Sequence, residues 1–370
     1  MLRQPLIALM LTSLAAPGLM ANASAAGTPP LRVHVYNWSD YIAPRTIPAF
    51  TRLTGIRVDY DVLDSNEVLE GKLLAGRTGY DVVVPTAYFL ARQIKAGVFR
   101  KLDKALIPNL KGLDPHLMAE LAKVDPSNAY GVPYMWGTTG IGYNAAMVRK
   151  ALGPDAPLDS WKLVFDPQYL DKLKSCGVAF LDAPTDVMPA ALHYLGLNPN
   201  TRNPVDYEKA FKLLQKLRPD VRYFNSSQYI SDLAQGKICV AIGWSGDVLQ
   251  AAERAAAAKQ GVKITYVIPR TGAQLWFDML AVPADAPHPK QAFAFINYLL
   301  APRVEAQNTN HIRYANPVPA SLAYIDTDIR DNPAIYPPPT VMRKLFVLSP
   351  PSPTIMRTML RYWTRLKTGS

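Results

Sequence analysis

The chain has 370 residues, of which 49% are hydrophobic and 19% charged, a globular composition that excludes an intrinsically disordered chain and, at this length, points to two domains. The formal net charge is +11, but Lys and Arg are dispersed without a block of five or more, so a dispersed solvated surface is expected in place of a nucleic-acid or membrane patch. Two cysteines and five scattered histidines (His34, His116, His193, His288, His311) give no spacing that would hold a metal.

The first residues read as an export signal. Arg3 supplies the positive start, and Leu6 to Met20 is an apolar run broken by Thr12, Ser13, Pro17 and Gly18. Ala21-Asn22-Ala23-Ser24-Ala25-Ala26 then offers small-x-small cleavage after Ala23, Ala25 or Ala26. The run is short for a spanning helix, although an uncleaved anchor is the alternative. No Cys lies near the cleavage region to carry a lipid.

Leu31 to Tyr36 alternates and predicts a strand. Pro44 opens a helical stretch with Ile47, Phe50 and Leu53 on one face, stopped by Gly55. Ile56 to Val62 is a second strand. Asp64-Ser65-Asn66-Glu67 reads as a capping box before a helix carrying Val68, Leu69 and Leu73, broken at Gly76 and Gly79. Tyr80 to Val84 is a third strand, ended by Pro85. This alternation implies a parallel sheet in a first α/β lobe.

A second α/β pattern begins with a strand at Cys176–Leu181. Helices are expected over Pro184–Leu195, Pro204–Leu217 and Gln228–Gln235, then a strand at Ile238–Ile242, a helix over Gly246–Lys259 and a strand at Ile264–Ile268. Trp276–Val282 and a helix over His288–Leu300 are placed to return to the first lobe. A proline-rich tail from Ile335 turns helical to Lys367. In an exported chain the pair Cys176 and Cys239 is expected to form a disulfide, closing a long loop for roughly 4 kcal/mol in the chain-entropy model; two buried free thiols are the alternative.

Ligands of open α/β sheets sit beyond the carboxyl ends of strands. Three such ends here carry aromatics, and two of them place Asp beside Trp: Trp38/Asp40/Tyr41 and Trp244/Asp247. Trp276/Asp278 adds a third pair at a lobe crossing. A linear polyamine needs carboxylates at separated points and apolar faces between them; aromatic faces also attract the cation, at about 0.5–2 kcal/mol each. The residues alone leave hinge packing open for the tryptophans and helix capping for Asp40 and Asp247. They also leave open a sugar-binding site, or a carboxylate hydrolase, although no Gly-x-Ser-x-Gly elbow or metal motif accompanies the acids.

The runs Tyr36–Ile42, Asp64–Leu73, Tyr80–Pro85, Pro133–Asn144 and Ile242–Val248 resemble, in order, the bacterial polyamine-binding proteins, the putrescine and spermidine receptors of ABC transporters. The likeness extends from about Leu31 to Lys367 and leans to the putrescine-receptor branch. It implies a two-lobed α/β periplasmic binding protein fold, type II-like, with chain crossovers between lobes and a central ligand cleft. Lobe 1 would comprise residues 30–136 and 277–321, and lobe 2 residues 137–276 and 322–370, with residues 1–26 removed. Closure would turn on the crossings near Trp136 and Trp276.

Carried over position by position, the resemblance implies an aromatic box of Trp38, Tyr41, Trp244 and Tyr314, ammonium-binding Asp40, Asp247 and Asp278, and hydroxyl contacts from Ser39 and Thr86. Asp186 stands where the putrescine branch carries Glu. Tyr88 replaces a Ser and Trp276 a Phe, both as in the spermidine-preferring branch, which leaves the choice of polyamine open. The family's disulfide falls on Cys176 and Cys239. The resemblance further implies a monomeric periplasmic protein, not an enzyme, without cofactor or nucleic acid, that passes its polyamine to inner-membrane permease subunits; a sensory receptor would use the same closed lobes.

Overall fold

The side chains at the start of β1 (Arg32–Trp38) alternate, Val33 and Val35 being buried while Arg32 faces solvent, and the strand is buried on both faces from Val35 to Trp38. In the computed structural model, which describes residues 30–369, β1 runs parallel to both β2 (Arg57–Leu63) and β3 (Val82–Val83). The predicted export signal lies outside the described residues. Between β1 and β2 the helix Thr46–Thr54 buries Phe50 and stops at Gly55, whose φ of 72° is left-handed and whose N–H donates to the Thr51 carbonyl at 2.8 Å. The third strand is shorter than its apolar run suggested.

The helix Asn66–Ala75 starts one residue later than the sequence pattern indicated. Ser65 is its cap, with the Oγ accepting from the Val68 N–H at 3.1 Å. The capping box expected from Asp64 to Glu67 is therefore not formed, and the Glu67 carboxyl goes elsewhere.

β4 (Gly131–Asn144) is the long strand that periodicity missed. Fourteen residues can span about 47 Å. All but Trp136 are buried, so neither face is polar and no alternation marks it. The remaining strands are β5 (Val178–Phe180), β6 (Tyr223–Phe224), β7 (Val240–Trp244), β8 (Ile264–Val267), β9 (Gln274–Ala281) and β10 (Phe346–Val347). The sheet order is β2-β1-β3-β9-β4-β7-β5-β6, with β10 beside β9 and β8 beside β4. β4 pairs antiparallel with β9 from Gly131 to Thr139, then with β7 from Thr139 to Tyr143. One sheet thus passes through both halves of the chain, and β4 and β9 are its crossing pair.

Hydrophobic packing divides on either side of that pair. One core draws on residues 33–135 and 275–318, the other on residues 141–273 and 355–366, and Trp244 packs against both. Cys176 and Cys239 are bonded to each other in the second, tying the turn after the helix Pro167–Leu173 to the start of β7. No helix among the described residues is long and apolar enough to cross a membrane.

Candidate functional site

Where the sheet crosses from one core to the other, the ends of β1, β3, β7 and β9 face one cavity. Its walls carry eleven of the twelve residues singled out from the sequence: Trp38 ending β1, with Ser39 and Tyr41 after it; Thr86 and Tyr88 after β3; Asp186; Trp244 ending β7, with Asp247 after it; Trp276 and Asp278 on β9; and Tyr314. No Lys, Arg or His is among the described residues lining it, although the chain carries +11 overall.

Asp40 is the exception. It does not line the cavity. Its carboxylate pairs with Arg254 at 3.0 Å, both side chains being more than 40% exposed, and its φ of 53° is left-handed. The sequence resemblance alone could not show this, because Asp40 sits between two residues that do face inward.

The aromatic box is built edge to face. Trp38 meets Trp244 at 5.6 Å between ring centroids, Tyr41 meets Tyr314 at 5.2 Å, and Tyr314 meets Trp276 at 5.4 Å. Trp38 is fixed by its Nε1–H donating to the Val84 carbonyl at 3.0 Å, so its face is held toward the cavity by the end of β3. Gly246 allows Tyr314 to lie flat on the helix Ser245–Ala258; a Cβ there would sit 2.4 Å from the ring.

Each buried carboxyl is oriented by donors. Asp278 accepts from Tyr41 Oη at 2.9 Å and Thr86 Oγ1 at 2.7 Å, and Thr86 is itself held by Asn66 through two bonds of 2.9 Å. Asp247 accepts from Tyr314 Oη at 2.7 Å and Tyr229 Oη at 2.8 Å. Asp186 accepts from Thr139 Oγ1 at 2.7 Å and Trp244 Nε1 at 3.1 Å. Burial outweighs these bonds and pushes Asp186 up to about 6 and Asp247 and Asp278 up to about 7. No described residue lining the cavity carries a compensating positive charge, which leaves an acid-lined, aromatic-walled chamber suited to a cation.

Several residues that touch or support the chamber carried no signal of their own. Tyr229 and Thr139 act behind the acids, Ser226 and Ser227 approach from the turn before the helix Gln228–Ala234, and Ile230 from its first turn. Asp64 and Asn66 lay inside the resembling run Asp64–Leu73, and reading them as caps hid them. No group of three His, Cys, Asp or Glu among the described residues is arranged to hold a metal.

Residues 46–337 match the family of bacterial extracellular solute-binding proteins. The chain is 55% identical to the putrescine-binding periplasmic protein PotF of Escherichia coli (strain K12), covering 91% of each. It is 54% identical to the putrescine-binding periplasmic protein SpuD of Pseudomonas aeruginosa (strain UCBPP-PA14), covering 91% of this chain and 92% of that one. Among solved structures, the spermidine/putrescine ABC transporter substrate-binding protein PotD from Streptococcus pneumoniae superposes with a TM-score of 0.72 at 27% identity, covering 91% of this chain and 99% of that one.

Proposed function

The chain belongs to the bacterial extracellular solute-binding proteins, and from that premise we propose that it captures a linear polyamine in the periplasm by closing two lobes around it, and delivers it to the permease of an ABC transporter. The observation that carries the reading is the cavity wall: three buried, donor-held aspartates and an aromatic box, without a basic side chain, inside a strongly basic protein. Relatives whose names state putrescine or spermidine binding support the ligand class.

Trp38, Tyr41, Trp244, Trp276 and Tyr314 cover the methylenes and attract the ammonium groups through their faces. Asp186, Asp247 and Asp278 pair with the ammonium groups, while Ser39 and Thr86 add hydroxyls. Tyr88 narrows the wall beside Asp186, its Oη donating to Thr185 Oγ1 at 3.1 Å. We assign the lobes as residues 30–136 with 277–321 and residues 137–276 with 322–370; the two main apolar cores support that division except at Leu275 and Trp276, which pack in the first, and smaller clusters join residues from both. Asp40 contributes to closure through Arg254, outside the ligand.

Both a diamine and a triamine fit this chemistry. Asp186, raised to about 6, and Asp247 and Asp278, raised to about 7, take up a proton more readily than an ordinary carboxyl, so burial lowers the charge left on an acid that no ammonium reaches. The protein binds its ligand unchanged. Calorimetric titration with putrescine, cadaverine, spermidine and spermine, followed by recovery of ligand from the denatured complex, tests this. Binding of putrescine and spermidine with intact recovery is expected; absence of binding by all four at millimolar concentration overturns it.

A further inference from the structure

The segment Asp64–Glu67 meets three separate parts of the site. Asp64 Oδ1 accepts from Ser39 Oγ on its own side of the cavity, at 3.2 Å, and from Ser227 Oγ on the opposite side, at 2.6 Å. Asn66 is buried and holds Thr86, which holds Asp278. Glu67, released from the capping role, accepts at 3.1 Å from Thr185 Oγ1, the hydroxyl that also receives the Tyr88 bond. Thr185 immediately precedes Asp186 in the first turn of the helix Pro184–Tyr194, and the charge of Asp186 acts on Glu67 directly.

We propose that Asp64–Glu67 is a positioning element that couples closure to ligand recognition: it grips Ser227 and Thr185 of the opposite lobe and sets Asp278 through Thr86. The claim rests on the two-lobe closure reading above. The physical logic is that one rigid helix start makes all the bonds. Ser65 caps the Asn66–Ala75 helix, so the four residues move as a unit. When the lobes part, Asp64 and Glu67 lose their partners across the cavity. When they meet, Thr185 is pinned from two sides and the adjoining Asp186 is carried into the chamber wall. Neither Thr185 nor Glu67 lines that chamber, so each acts through another residue.

The test uses the mature chain and three variants at Thr185 and Ser227, with putrescine and spermidine as probes. The double variant Ser227→Ala/Thr185→Val is expected to bind both amines about tenfold more weakly or worse, with the loss in the dissociation rate, since each removed hydroxyl donates to a carboxylate. Thr185→Ser keeps the donor and is expected to restore affinity, whereas Thr185→Val keeps the shape and does not. X-ray scattering without ligand is expected to show the double variant more open than wild type. Wild-type affinity together with an unchanged radius of gyration in the double variant overturns the latch. Failure of wild type to bind any amine would instead overturn the ligand reading, and the ligand-free scattering would still decide the latch.

Discussion

Asp247 and Asp40 carry the same carboxylate, and both follow a tryptophan at a strand end, but their surroundings separate them. Asp247 is buried and receives two tyrosine hydroxyls; Asp40 is solvated and pairs with Arg254. Truncating a buried, hydrogen-bonded charge that meets an opposite charge costs about 2–5 kcal/mol, while an exposed ion pair contributes about 0–1 kcal/mol. Asp247→Asn is therefore expected to weaken polyamine binding by about two orders of magnitude or more by calorimetry. Asp40→Asn should cost about fivefold at most. A reversed ranking would place the ammonium beside Asp40 and refute the cavity assignment.

At the scale of elements, β4 shows why part of the fold was legible and part was not. β1, β2 and the helix ending at Gly55 announce themselves by period and by punctuation, because one face of each meets solvent, in β1 only at its start. β4 is covered on both faces and interrupted by Gly137, Gly140 and Gly142, so its only signature in sequence was the resembling run Pro133–Asn144. Those glycines are needed by neighbours: a Cβ at Gly140 would stand 2.5 Å from the Val267 carbonyl oxygen and from Tyr266 Oη, and one at Gly142 would stand 2.6 Å from Val248. Gly140→Ala is expected to destabilise the protein by about 1–3 kcal/mol in urea unfolding, as overpacking against backbone does. Unchanged stability would mean that β8 does not lie where the sheet has it. The site divides in the same way. The aromatic and acidic residues beyond strand ends were readable, because residue type and position coincide there. Ser226, Ser227, Tyr229 and Thr139 were not, since a hydroxyl has no pattern and acquires its role only when a distant acid comes to face it.

At the scale of the molecule, the proposed ligand is a cation and the chain is +11, so the acids of the cavity have to supply the attraction locally. Burial raises Asp186 to about 6 and Asp247 and Asp278 to about 7, whereas an alkylammonium such as that of lysine loses its proton near 10.4. Pairing requires the ionised acid, so binding releases protons from the carboxyls. Affinity should rise as pH increases from 5 through about 7 and level off above 8. Each carboxyl loses up to tenfold per unit below its own value, so the drop from pH 8 to pH 5 should be at least about a hundredfold. The empty protein obeys the opposite sign. A carboxyl raised in the folded state stabilises it fully below the unfolded value and loses that contribution as pH climbs through about 7. The thermal shift produced by ligand should accordingly grow with pH. The number of protons released then reports how many acids the ligand reaches. In calorimetry at pH 6.5 across buffers of different ionisation enthalpy, spermidine, with a third ammonium, should displace up to about one proton more than putrescine. Equal proton release by the two amines would show that the third ammonium meets none of the three acids, and that Tyr88 and Trp276 confine the chamber to a diamine.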